Sequence, residues 1–278
     1  MEFLTKVQRK STKLLIRAKA SVYNNGVNAF WWTGRVNFGD LFTPELFQHY
    51  GVTALESKPE KSEIVGVGSL FGMIPPNFQG VFLGTGLMKN EKMHFEKASF
   101  AAVRGEFTRS NLGLSNATPL GDFGLLANKL IIKKVMIKKY AVGFVPHYVD
   151  QGHPWLNTMQ KYLGDDKCTV IDVRDSAQNV TKQIAECELI LSSSLHGIIV
   201  ADSLNIPNVW IELSSKVIGD GFKFRDYNTA IDYEQAALKI EEKTKFSDIT
   251  SFISDKSEEK IKDKIIELES IIVQLLDK

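Results

Sequence analysis

Leu189-Ile190-Leu191-Ser192-Ser193-Ser194-Leu195-His196-Gly197 runs from a short apolar segment through three serines into a second apolar stretch. Leu189 to Leu191 reads as a buried strand, and the serines as a turn opening a helix over Leu195 to Leu204. The helix stops at Asn205-Ile206-Pro207, and Val209 to Leu213 reads as the next strand. Strand, turn, helix, strand is the unit of a parallel sheet with helices on its faces. The turn in such a unit lies at the carboxyl end of its strand, where open α/β sheets bind ligands. Hydroxyls and the free N–H groups of a helix start cradle an anion there, so Ser193, Ser194 and Leu195 are expected to hold one. His196 is placed to give or take a proton, and Gly197 permits close approach of a ligand or of neighbouring backbone. No G-x-S-x-G surrounds these serines, so a nucleophile elbow is not indicated.

Similar units flank this one. Ala141 to Val145 and Thr169 to Val173 read as strands, and Gln178 to Cys187 as a helix. Upstream, Glu63 to Val67, Gly80 to Leu83 and Ala98 to Val103 read as strands, the first two ending in glycine-rich turns, with a helix over Arg104 to Leu112. Between the two series, Asn128 to Tyr140 holds Lys129, Lys133, Lys134, Lys138 and Lys139 and reads as the junction. From about Ser257 an amphipathic helix carries Ile261, Ile265, Leu268, Ile272 and Leu275 on one face, suited to a dimer contact or a brace between halves. The expected fold is α/β, two Rossmann-like halves facing across a cleft, spanning residues 1–139 and 140–278.

Other segments fall where loops from both halves would meet. Asn37-Phe38-Gly39-Asp40 precedes Thr43-Pro44, which reads as the cap and first position of a helix ending near Gly51, so Asn37, Gly39 and Asp40 line a helix start. Arg104 follows a strand directly, and Arg109 lies about one turn beyond; a guanidinium fork suits carboxylate or phosphate. Arg109 also reads as a surface residue paired with Glu106. His147, after the strand that ends at Val145, reads alone as a hydrogen-bonded structural histidine. In Gly221-Phe222-Lys223-Phe224-Arg225, extended geometry would put Lys223 and Arg225 on one face, either of a site or of a solvated edge strand.

Composition sets the outer bounds. The chain has 278 residues, 44% hydrophobic, with 34 Lys plus Arg against 33 Asp plus Glu, so no global field points to nucleic acid. Two cysteines fit neither a disulfide framework nor a metal motif, which points to a reducing, cytoplasmic setting. No apolar run reaches membrane-spanning length, and no secretory leader is read at the start. Gly66-x-Gly68-x-x-x-Gly72 misses the dinucleotide spacing by one residue, and neither a Walker sequence nor H-E-x-x-H occurs. Met1 to Ala20 carries Lys6, Arg9, Lys10, Lys13, Arg17 and Lys19 against Glu2, with Phe3, Leu4, Val7, Leu14, Leu15 and Ala18 near helical spacing. Such a helix either packs its apolar face on the domain or lies on an anionic membrane surface.

Taken in order, NFGDLFTPEL, GVGSL, GTGL, VRGEFTR, PLGDFGLL, VGFVPHYVD, LILSSSLHGIIVADSLNIP and FKFRDY resemble the polysaccharide pyruvyl transferase family, over Asn37 to Tyr227. The resemblance implies two halves arranged as in GT-B glycosyltransferases, the first on the acceptor side and the second on the phosphoenolpyruvate side. It implies transfer of the enolpyruvyl carbons of phosphoenolpyruvate to two hydroxyls of a sugar, as a cyclic ketal, with release of phosphate. Phosphoenolpyruvate is then a donor substrate, and no cofactor or metal is required. The acceptor is a saccharide of a surface polysaccharide or its polyprenyl-diphosphate-linked precursor, which would give the basic opening helix a place at the inner membrane face. His196 becomes the expected acid and His147 a second proton-transfer group or phosphate partner. Arg104, with Arg109 and Lys223, becomes the expected clamp on the donor. A glycosyltransferase using a nucleotide sugar is the alternative on the same fold. Ser194 stands where some members carry arginine, so hydroxyl donors or a cation from elsewhere, such as Lys223 or Arg225, would have to substitute. Phe123 stands where proline often follows Gly-Asp. Acceptor choice is expected in loops around Trp31, Trp32 and Met73 to Phe78.

Overall fold

The structure, a computed structural model, describes residues 2–131 and 137–277, with side chains from Ser11 onward apart from Thr250. Lys133 and Lys134, and the side chains of Lys6, Arg9 and Lys10, therefore lie outside the described residues. The elements in chain order begin with α1 (Glu2–Tyr23), β1 (Gly26–Phe30), α2 (Phe38–His49), β2 (Thr53–Glu56), β3 (Ile64–Val65), β4 (Val81–Thr85), β5 (Ser99–Val103) and α3 (Glu106–Asn111). After a 3-10 segment, Phe123–Lys129, come β6 (Tyr140–Val145), α4 (Pro154–Leu163), β7 (Cys168–Val170), α5 (Ala177–Ala185), β8 (Cys187–Ser192) and α6 (Leu195–Ser203). The chain continues through β9 (Asn208–Glu212), α7 (Phe222–Thr229), β10 (Leu238–Lys239), α8 (Phe246–Ile249) and α9 (Glu258–Leu276).

The strands form two five-stranded parallel sheets, β2-β1-β3-β4-β5 and β10-β9-β8-β6-β7. Counted within each sheet, both follow one doubly wound order, 2-1-3-4-5. Each order reverses once, between β1 and β3 and between β6 and β8, and the loops leaving those strand ends part to open a crevice. The strands are short and apolar because both sheet faces are covered; Phe82, Phe144, Ile190 and Leu191 are fully buried. One core joins the two sheets: Phe38, Phe42 and Leu46 of α2 pack in the same cluster as Val173, Ile184, Ile198, Ile199, Leu268 and Ile272. Polar contacts cross as well, since the Glu45 carboxylate accepts the N–H groups of Ala177 and Gln178 at 2.8 and 2.7 Å and so caps α5. α9 braces this junction: Leu268 lies against Gly121, and Lys129 pairs with Glu269 at 2.6 Å.

Two local readings are corrected. Helix α2 starts at Phe38, not after Thr43; Asn37, in extended conformation, precedes it and Pro44 lies inside it. Thr43 does not cap, because its hydroxyl faces the other way and accepts the Val67 N–H at 3.0 Å. The segment 222–229 is helix, not extended strand, so Lys223 and Arg225 point in different directions: Lys223 is buried, while Arg225 is exposed at a cleft rim. Of the tryptophans, Trp31 belongs to the core, while Trp32 is exposed.

Candidate active site

The two series of elements meet at the start of α6, which packs against α2 and the 3-10 segment 123–129. Ser192 stands opposite Val145 in the β6–β8 register, which brings the turns 146–150 and 192–196 side by side. Ser192 knots its own turn: its Oγ reaches the Val145 carbonyl at 2.8 Å and accepts the Ser194 N–H at 3.0 Å. Ser193 donates to Asp150 Oδ2 at 2.8 Å and accepts the His147 N–H at 2.9 Å, which locks the two turns together. Gly197 serves packing, since a Cβ there would lie 2.3 Å from Ser192 Oγ and 2.8 Å from the Val145 side chain.

His196 leaves α6 toward the first sheet. Its ring sits between Phe38 and Phe42, with centroids 6.1 Å from each, and its Nδ1 lies directly over Gly39. A Cβ at Gly39 would come within 2.0 Å of that nitrogen, so the NFGD glycine is what admits the imidazole. The other nitrogen, Nε2, faces Asp122 Oδ2 at 3.7 Å, and neither buried atom has a hydrogen-bond partner. Buried polar atoms are rarely left unpaired, and two left facing each other mark a place where a proton or ligand completes the contact. Burial, with Lys223 and Arg104 nearby, pushes His196 down to about 3, so the imidazole is neutral in the unliganded protein. Burial also raises Asp122 to about 6, opposed by the Gly124 N–H and the Arg104 charge.

Asp40 and Lys223 lie close enough to the same cluster for each to act on the other's charge. Burial raises Asp40 to about 7, while the Asn37 amide, donating at 3.1 Å, and the Lys223 charge pull the other way. Lys223 is only 9% exposed; its ammonium lies 5.7 Å from the centroid of the Phe224 ring and has no anionic partner among the ion pairs of the described residues. Burial and Arg104 lower it to about 8, with Asp40 and Asp150 opposing. Partial burial, with the Lys223 charge nearby, pushes the half-buried His147 down to about 3. Groups displaced this far, in one place and by one another, are characteristic of a reacting site.

Arg104 does not present a free fork. It is fully buried, with Nε donating to Asp226 Oδ2 at 3.0 Å, Nη1 to Ser69 Oγ at 2.8 Å and Nη2 to the Leu87 carbonyl at 2.6 Å. Asp226 also accepts from the Thr108 N–H and hydroxyl at 2.8 and 2.6 Å. Asp226 and Lys223 are three residues apart on α7, so they share a helix face. The Arg104–Asp226 pair thus fixes the face that carries Lys223. Arg109 is not part of the cluster: it is bound to Glu106 and to the carbonyls of Asn116 and Thr118 at 2.8 and 3.2 Å. Arg225 lines an adjoining cleft of ≈ 940 Å³ beside β9, which Ser193 also borders and which Trp210, Phe224 and Tyr233 wall.

Asn37, Gly39, Asp40, Arg104, His147, Ser193, Ser194, Leu195, His196 and Lys223 therefore gather around one junction. Three aspartates that the motifs carried without being singled out gather with them: Asp122, Asp150 and Asp226. A lone acid in an apolar run, as in PLGDFGLL, was the available signal for Asp122.

The polysaccharide pyruvyl transferase profile matches residues 12–215. Protein L143 of Acanthamoeba polyphaga mimivirus, itself uncharacterized, is 34% identical over 171 residues, covering 59% of this chain and 58% of the relative. The succinoglycan biosynthesis protein ExoV of Rhizobium meliloti (strain 1021) is 26% identical over 207 residues, covering 71% of this chain and 62% of the relative. The chain thus matches less than two thirds of the length of either relative.

Proposed function

The chain belongs to the polysaccharide pyruvyl transferase family, and on that footing we propose that it transfers the pyruvyl unit of phosphoenolpyruvate to two hydroxyls of a saccharide. The acceptor is a sugar of a surface polysaccharide or of its lipid-linked precursor, and the reaction runs on the cytoplasmic side without metal or organic cofactor. The observation that carries the reading is a buried, unpaired ammonium at Lys223 beside a neutral His196 that faces Asp122.

The donor is a small polyanion. Its charge pairs with Lys223 and with the N–H groups at the start of α6, in the place where Ser194 lacks an arginine's charge. A bound anion opposes the burial and the neighbouring cations that depress His196, so the imidazole takes up a proton as the donor binds, and Asp122 holds it. His196 then protonates the terminal enol carbon, which becomes the methyl group. The C–O bond to phosphate breaks as one sugar hydroxyl attacks the central carbon and a second closes the ring. Of the two hydroxyl protons, one replaces that spent on the methyl and one leaves with phosphate. Asp40, raised to about 7, is poised to accept a proton from an attacking hydroxyl.

Saccharide-dependent release of phosphate from phosphoenolpyruvate tests the reaction directly. A melting temperature raised by phosphoenolpyruvate, and left unchanged by uridine or guanosine diphosphate sugars, separates it from glycosyl transfer. The opposite pattern overturns the proposal. The pH dependence is a second expected result. Asp40 must be ionised to act as base, so kcat/KM falls below about 7. Lys223 must be charged to hold the donor, so kcat/KM falls above about 8. Lys223→Arg keeps the charge at any working pH and removes the alkaline limb, although the bulkier fork raises KM. A wild-type profile flat between about pH 6 and 9 would remove both groups from these roles.

A further inference from the structure

Helix α1 meets the rest of the molecule with the wrong side for a helix that folds onto its own domain. Lys13 pairs with the Glu56 carboxylate at 2.8 Å, Arg17 donates to the Glu56 carbonyl at 3.0 Å, and Ala20 is 2% exposed. Positions 13, 17 and 20 share one side of a helix, so the basic side touches the body. On the other side Leu14, Leu15 and Val22 stand 70%, 71% and 80% exposed. Ala18, also exposed, falls on this same apolar arc. A helix that packs on its own protein buries such an arc. This one turns it outward, which corrects the expectation that the apolar face is packed on the domain.

We propose that α1 is an interfacial anchor that lies along an anionic lipid surface. Six cations stand in α1 against the single acid Glu2; Lys13 and Arg17 are taken up by Glu56, which leaves Lys6, Arg9, Lys10 and Lys19 in excess. That balance complements acidic headgroups flanking an inserted apolar arc. A second copy fits poorly, because two such helices packed arc to arc would bring their cations together in either orientation. Tyr23, 67% exposed at the end of the helix, suits the headgroup boundary. No described helix is long and apolar enough to cross a membrane, and α1, interrupted by charge throughout, lies on the surface rather than spanning it. The inference stands apart from the transfer reaction, and its test reads binding, not turnover.

The test is flotation of the full chain with vesicles of phosphatidylcholine, with and without phosphatidylglycerol. The chain should float with the anionic vesicles and release as salt rises. Leu14→Ser, Leu15→Ser and Val22→Ser together should cut partition by more than about tenfold, with an unchanged melting temperature because these side chains are exposed. Lys6→Gln, Lys10→Gln and Lys19→Gln should each weaken binding to the anionic vesicles by roughly fivefold. A wild-type chain that stays with the soluble fraction, or a triple serine variant that floats equally well, overturns the proposal. A wild-type dimer that the same variant converts to monomer, without vesicle binding, overturns it in favour of a second copy.

Discussion

His196→Gln lowers kcat for saccharide-dependent phosphate release by roughly 10²–10⁴, the span associated with loss of a positioned general acid. The amide keeps the volume of the imidazole between Phe38 and Phe42 and above Gly39, so the fold and phosphoenolpyruvate binding survive. What disappears is the proton. Titration of phosphoenolpyruvate into the wild-type protein in two buffers of different ionisation heat should register proton uptake, because an incoming anion lifts His196 from its depressed value of about 3. Uptake should vanish in His196→Gln. Asp122→Asn acts through the same imidazole. Without the carboxylate 3.7 Å from Nε2, the liganded imidazolium loses its facing anion, and the rate near neutrality falls roughly 10–100-fold. If both variants turn over at the wild-type rate, the acid lies elsewhere. If Asp122→Asn alone is silent, the facing carboxylate does not support the imidazolium.

How far the sequence anticipates this site follows from what each residue interacts with. His196 is legible because its signal is local: an apolar strand, a polar turn and a helix start occupy nine consecutive residues. The same holds for Arg104, placed at a strand's carboxyl end by its neighbours, and for the two parallel sheets, whose strands are short apolar runs. The partners of these residues are remote in the chain. Asp122 belongs to the site because α6 packs on the 3-10 segment that follows it, a contact between the two series of elements. Asp226 stands 122 residues from the arginine it holds.

The misread of 222–229 has the same origin. Gly-Phe-Lys-Phe-Arg alternates as a strand does, but Asp226, bonded to Arg104 and Thr108, holds the segment as a helix against α3. At Thr43 the hydroxyl had a tertiary partner, the Val67 N–H, so cap chemistry was outbid by a contact the local pattern does not contain. Helix α1 fails in a more informative way. Its amphipathic pattern is plain, but the pattern does not say which face meets the body; the contacts of Lys13 and Arg17 with Glu56 and the burial of Ala20 turn the basic side inward.

Arg104→Met destabilises the protein by about 3–5 kcal/mol, because it strands the Asp226 carboxylate at 0% exposure without its cation. For a chain of this size the melting temperature drops by roughly 10 °C. Loss of turnover in this variant therefore cannot by itself identify Arg104 as a donor-binding group. Arg104→Met combined with Asp226→Asn resolves the ambiguity. The pair then has no uncompensated charge, while the Asn amide still meets the Thr108 hydroxyl, so most of the lost stability returns. If Arg104 acts by fixing the face of α7 that carries Lys223, the double variant regains much of its phosphoenolpyruvate affinity along with its stability. If Arg104 swings out to grip the donor, stability returns and affinity does not. Lys223→Met supplies the contrast: it removes an unpaired buried ammonium, so the melting temperature holds or rises while KM for phosphoenolpyruvate climbs. Opposite signs of stability and affinity at Lys223, with parallel signs at Arg104, would separate the cation that binds from the cation that builds.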